Sequence, residues 1–303
     1  MLSLRHSVFI LLAASFGCSA SNTTGNVFGT TSSTGGAGGE GGSGGSGGAP
    51  TTTGEGGGDF TTGAGTGTGG GEPLVAEVWG QSPDTLYKLD PKTNAVTTIG
   101  KFQGCANVID IALDKDSNLY AAASGGLYTV DKASAKCTLI ASGSYPNSLS
   151  FVPAGTVDPN QEALVGYLGA QYIRIDTVTG KITTIGQLGG GYSSSGDVVS
   201  VTGKTYLTAN NFQKCTNGDC LLEINPKTGD LVKDWGSVGF DSVFGLAFWA
   251  GKAYGFTDGG EVFEISFTMG GITSKKIEIP GNPMLKFWGA GSTTSAPPNP
   301  IPQ

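Results

Sequence analysis

One stretch, Leu86-Tyr-Lys-Leu-Asp-Pro-Lys-Thr-Asn-Ala-Val-Thr-Thr-Ile-Gly100, returns in looser form four more times. The later copies begin at Leu127-Tyr-Thr-Val-Asp131, Tyr172-Ile-Arg-Ile-Asp176, Leu222-Glu-Ile-Asn225 and Val262-Phe-Glu-Ile-Ser266. Each is a run of alternating side chains, a turn of Asp, Pro, Thr and Gly, and a second β-branched run. That is the pattern of a β-hairpin. The turn anchors Asp90, Asp131, Asp176, Asn225 and Ser266 are spaced by 41, 45, 49 and 41 residues. No helical periodicity lies between them, so the repeating unit is all-β and must bury its faces against its neighbours.

Units of this length, four strands each, are the blades of a β-propeller. From residue 107 onward each unit supplies an inner strand, a second strand and the hairpin. The first unit, starting near Leu74, lacks the inner strand. The segment Met284-Leu-Lys-Phe-Trp-Gly-Ala-Gly291 aligns with Leu246-Ala-Phe-Trp-Ala-Gly251 and is expected to supply it, closing the ring and removing its open inner edge. The expectation is a five-bladed propeller over residues 73–294, with six blades the alternative. An insertion at 210–219 lengthens the fourth unit. The tail 295–303, with four prolines, cannot join a ladder and is expected to be loose.

The N-terminal quarter is different in kind. Arg5 and His6 precede an apolar run over 8–16 that is too short to span a bilayer, followed by Gly17-Cys18-Ser19. This is an export signal over 1–17. Ser15-Phe16-Gly17-Cys18 resembles the lipobox of bacterial lipoproteins, which implies lipidation of Cys18, a membrane anchor and, with Ser19 next in line, an outer-membrane or cell-surface address. A periplasmic or secreted protein, cut after Ala20, is the alternative. Residues 18–72, almost all Gly, Ser, Thr and Ala, lack the apolar side chains to offset ordering entropy and form a flexible tether. Its glycines make no phosphate loop, because no lysine precedes Lys88.

After residue 72 stand 16 of the 17 Lys and Arg and 20 of the 24 Asp and Glu, a formal net charge of −4. With no basic stripe, nucleic acid is excluded as a partner, and the domain is expected to be a monomer. In an oxidising compartment Cys215 and Cys220, bracketing a short turn, are expected to pair. Cys105 and Cys137 are left as a second pair by elimination, although the strand assignment places them at opposite ends of their blade. Asp114-Lys-Asp-Ser-Asn118 mimics the start of a calcium loop but has Leu119 and Gly125 where glycine and glutamate are needed, so it is a tight turn.

The only histidine is His6, in the signal, so histidine-based triads and histidine-ligated metals are excluded from the mature chain. Asp110, Ser148, Asp197 and Gly245 hold one position at the start of successive inner strands. The first three are candidate ligand-binding residues at a mouth of the axial channel, and no catalytic or metal residue is assigned. Asn225-Pro-Lys-Thr-Gly-Asp-Leu-Val-Lys-Asp-Trp235 resembles a repeat of the quinoprotein dehydrogenases, and the pattern is similar to streptogramin lyases and calcium-dependent lactonases. None of their catalytic motifs is present. The expected function is a non-catalytic surface module binding a protein or glycan. The alternative is a metal-dependent, lactonase-like hydrolase with calcium held by Asp110 and Asp197.

Overall fold

The computed structural model describes residues 76–201, 203–281 and 284–299. The export signal, Cys18, the tether and the last four residues lie outside the described part. Twenty strands form five four-stranded antiparallel sheets. Chain order gives β1 (Val78–Gln81), β2 (Thr85–Asp90) and β3 (Ala95–Lys101), then β4 (Ala106–Leu113), β5 (Leu119–Ser124), β6 (Gly126–Asp131) and β7 (Lys136–Ser142). The third sheet has β8 (Leu149–Val152), β9 (Ala163–Leu168), β10 (Gln171–Ile175) and β11 (Ile182–Gln187). The fourth has β12 (Ser193–Val201), β13 (Lys204–Asn210), β14 (Cys220–Ile224) and β15 (Leu231–Ser237). The fifth has β16 (Val243–Trp249), β17 (Lys252–Thr257), β18 (Val262–Thr268) and β19 (Gly271–Ile277). The last strand, β20 (Gly289–Ser292), pairs with β1. The ring is therefore a five-bladed propeller whose first blade, β20-β1-β2-β3, joins the two ends of the folded chain.

The core is divided by the same logic that shapes the blades. Each sheet has two apolar faces, so the buried side chains gather between neighbouring blades. Five clusters result, one per junction: Trp79 and Leu86 with Ile111 and Tyr128, Leu127 with Phe151 and Ile173, Tyr167 with Leu207 and Leu222, Tyr206 with Phe248 and Phe263, and Phe256 with Phe287 and Leu89. Outer strands such as β3 and β15 carry half-buried or exposed residues throughout.

Two expectations are corrected. The closing strand is β20, shorter and later than the 284–291 segment aligned with Leu246–Gly251. The shared Phe-Trp pair misled the alignment. Phe248-Trp249 ends a strand ahead of the turn at Ala250 and Gly251, both with positive φ, whereas Phe287-Trp288 precedes one. The second correction concerns Cys105 and Cys137, which are not at opposite ends of their blade. The chain between β3 and β4 runs along the outer edge of β7, with Gln103 bridging Lys136 in parallel and Cys137 N donating to Gln103 O (2.7 Å). That path brings the two Cα atoms to 5.7 Å and the disulfide forms. Cys215 pairs with Cys220, as expected. Beyond β20, Thr293 and Thr294 are buried, and Ala296, in the segment expected to be loose, is 1% exposed.

Candidate functional site

The inner strands are sheet edges, and edges present backbone N–H groups that the blade itself cannot pair. Asp110 answers this for two blades at once. One carboxylate oxygen accepts from Ile111 N on its own strand (2.8 Å), and the other from Leu149 N on the next blade (2.6 Å). Asp197 does the same two junctions further on, accepting from Val198 N (2.7 Å) and Leu246 N (2.8 Å). Both residues are fully buried, and their carboxyls hydrogen-bond to each other at the axis. Burial pushes both well above the ordinary carboxylate range, and for Asp197 the neighbouring Asp110 adds to the rise. Two carboxyls that hydrogen-bond to each other must share a proton between them, and both shifts favour that protonated pair.

Room for this pair comes from glycine. Strand pairing places Gly245 and Gly289 at the position that Asp110, Ser148 and Asp197 hold on the other blades. A Cβ on Gly289 would lie 2.3 Å from Asp110 Oδ1 and 2.7 Å from Gln81 Nε2, and one on Gly245 would lie 2.7 Å from Ala290 N. None of these distances is tolerable, so the axial layer is two carboxyls, one hydroxyl and two glycines. Gln81, buried on β1, closes the layer: oriented to satisfy both groups, its amide donates to Gly289 O (2.8 Å) and accepts from Gly289 N (3.0 Å). Ser148 Oγ is buried and has no hydrogen-bond partner among the described residues.

Asp110, Ser148 and Asp197 are thus brought into one layer, where all three are fully buried. What faces outward is the residue before each of them. Ile109, Asn147, Phe244 and Trp288 line a concavity of about 200 Å³ at the mouth of the axis. They come from blades 2, 3, 5 and 1. Gly196 takes the equivalent place on blade 4, where a Cβ would lie 2.0 Å from Val243 O. The indole of Trp288 is held by its Nε1–H, which donates to Asp258 Oδ1 (2.9 Å). Sequence reasoning stopped one residue short of this collar, because the carboxyls drew attention and the apolar residues beside them looked like core. The signal was available in the repeat itself, because the position before the axial one carries Trp, Phe and Ile on three blades.

The opposite end of β20 meets a different kind of carboxyl. Glu77, just before β1, accepts from Lys88 Nζ (2.5 Å) at one oxygen, and from Lys132 Nζ (2.6 Å) and Ser117 Oγ (2.5 Å) at the other. Burial works against its charge, but these three donors hold its pKa down at about 2. Thr293 N donates to Glu77 O (3.3 Å), and Thr294 Oγ1 hydrogen-bonds Glu162 of blade 3, whose other oxygen accepts from Lys115 N (2.7 Å). The segment after β20 thereby ties blade 1 to blades 2 and 3.

The calcium implied by the lactonase resemblance does not fit the axial pair. All four carboxyl oxygens already accept backbone N–H groups, the pair holds a proton, and calcium needs six to eight oxygen ligands. Among the described residues no group of three or more His, Cys, Asp or Glu is placed to hold a metal ion.

No family model and no curated protein sequence matches this chain. Solved structures do. The nidogen/laminin complex is similar at 7% identity over 73% of this chain and all of that one, with a TM-score of 0.42. Hydrazine synthase of Kuenenia stuttgartiensis is similar at 14% identity, covering 69% and 67% of the two chains, with a TM-score of 0.39. The Cps50 (Swd1) β-propeller domain of Myceliophteria thermophila is similar at 11% identity, covering 63% and 61%, with a TM-score of 0.38. At these values the likeness is one of fold and carries nothing about chemistry or partners.

Proposed function

We propose that this chain is an exported, lipid-anchored recognition module that binds its partner at the axial mouth and carries out no chemistry there. One observation carries the reading: four inner strands converge on an open, uncharged concavity, while the carboxyls beneath it are sealed from any ligand by burial and by backbone donors. A small, largely apolar hollow with one polar group is the usual form of a binding site. Two disulfides suit an oxidising compartment, in keeping with the export signal and with lipidation at Cys18. The long tether suits a domain that reaches for its partner from a surface, as a monomer.

The test is a ligand-observed NMR screen of small aromatic and amphiphilic fragments against the full chain and a Trp288→Ala/Phe244→Ala double variant. Fragments that bind the natural chain should lose their signal with the variant. Hits that persist unchanged would place binding elsewhere. The address is tested separately by Cys18→Ala, which should release the protein from the membrane fraction.

A further inference from the structure

The mouth has a chemical character that narrows its ligand, an inference that rests on the binding role proposed above. Its lining is two aromatic rings, one branched aliphatic chain and one primary amide, with no ionisable group. Asn147 is exposed, and its side-chain amide makes no hydrogen bond among the described residues. Trp288 is the converse: its one polar atom is already committed to Asp258, so only the faces and edge of its ring are on offer. A volume of about 200 Å³ is below the roughly 300–1,000 Å³ of sites for drug-sized molecules, so the hollow accepts a single ring.

An occupant that was purely apolar would desolvate the Asn147 amide and leave it unpaired, which costs binding free energy. An anion or cation would enter a hollow with no countercharge. The occupant must offer a flat apolar face to Trp288 and Phe244 and neutral hydrogen-bonding groups at its edge to Asn147. A pyranose ring has this combination: its axial C–H bonds make one face apolar, and its hydroxyls lie around the rim as both donors and acceptors. We infer that the axial mouth binds one uncharged pyranose unit, the end residue of a neutral glycan.

Methyl β-D-galactopyranoside, methyl α-D-glucopyranoside and N-acetylglucosamine, titrated into the full chain with tryptophan fluorescence as readout, test this. Sodium glucuronate serves as the charged counterpart and phenol as the ring without hydroxyls. A ligand of about a dozen heavy atoms at ordinary efficiency gives a Kd of roughly 1 mM, and at least one neutral pyranoside should reach it. Trp288→Ala and Asn147→Ala should each weaken that binding tenfold or more, read by saturation-transfer NMR, with the far-UV circular dichroism of the folded chain retained in both and the melting temperature unmoved in Asn147→Ala. Phe212→Ala, fully exposed on the 210–219 insertion, should leave it unchanged. Glucuronate binding as well as the neutral sugars would overturn the argument from charge. Pyranoside binding that ignores both mouth substitutions would overturn the site. Phenol binding in the mouth without any pyranoside would overturn the sugar and keep the mouth as a binding site, and silence from every probe would remove both.

Discussion

The two ends of β20 each lie beside carboxyl groups, and they settle the charge in opposite ways. At the mouth, Asp110 and Asp197 meet only backbone N–H groups and each other, and their pKa values are driven up. At the far end, Glu77 meets two ammonium groups and a hydroxyl, and its pKa is driven down to about 2. A buried acid with neutral donors keeps its proton, and a buried acid with cations gives it up. Both solutions stitch blades together. Asp110 joins blades 2 and 3, Asp197 joins 4 and 5, and Glu77 joins 1 and 2. Hydroxyls complete the ring: Ser150 Oγ accepts from Ser200 N (3.1 Å) between blades 3 and 4, and Ser292 Oγ from Phe248 N (2.9 Å) between blades 5 and 1.

One element serves both ends, so its loss should have the largest effect. β20 places Gly289 beside the axial carboxyls and Ser292 and Thr293 beside Glu77. Deleting residues 284–303 removes the inner strand of blade 1 and opens an edge through the middle of the ring. The truncated chain should show no cooperative thermal transition by circular dichroism. A sharp melt close to that of the full chain would mean that closure contributes little.

Removing a single carboxyl should separate the ends. Asp110→Ala or Asp197→Ala leaves two buried backbone N–H groups without an acceptor, at about 1–3 kcal/mol each. Urea unfolding should report a loss of roughly 3–5 kcal/mol for either. Asn in place of either Asp keeps one acceptor and turns an NH₂ toward the other donor, so its cost should be about half as large. Glu77→Gln should cost less than the alanine variants, about 2–3 kcal/mol at neutral pH, the scale set by its pKa displacement from 4.5 to about 2.

The pH dependences should run in opposite senses. Glu77 has a folded pKa below its unfolded value, so its contribution is complete above about 4.5 and is lost as pH falls toward 2. The stability difference between the natural chain and Glu77→Gln should therefore shrink across that window. The axial pair has raised values, so its shared proton stabilises fully below the unfolded aspartate range of about 3.9 and is lost as pH climbs through the folded value. The difference between the natural chain and Asp197→Asn should be larger at pH 5 than at pH 8. Parallel trends for the two variants would show that the ends are not distinct in charge.

This contrast also marks what the sequence made legible. The blades were legible because hairpin patterning and a period near 44 residues are local and repeat. The axial layer was legible in part, since Asp110, Ser148 and Asp197 share a strand position that counting alone can find. Their environment was not. Whether a carboxyl at a strand start faces a ligand or a neighbouring backbone depends on how close the inner strands approach, and that is set by Gly245 and Gly289 on other blades. Glu77 gave no signal at all. Its partners Lys88, Ser117 and Lys132 belong to three different turns and strands, and only ring closure assembles them. The closeness of Cys105 and Cys137 was hidden for the same reason, because the connection doubles back along β7 and brings them together at the blade's edge.

The smallest effect expected is none, and it bears on the rival hydrolase reading. A metal bound only by the folded state at 100 times its Kd would add about 2.7 kcal/mol of stability. For a domain of this size that is a melting shift of several degrees. A divalent cation at the axial pair would have to displace the shared proton and compete with four backbone N–H groups for the same oxygens. Differential scanning calorimetry in millimolar calcium or magnesium should therefore give the same melting temperature as in chelator. A rise of several degrees that disappears in Asp110→Asn/Asp197→Asn would show that the proton is replaceable by a metal, erase the contrast between the two ends of β20, and restore the carboxyl pair as the metal ligands of the hydrolase alternative.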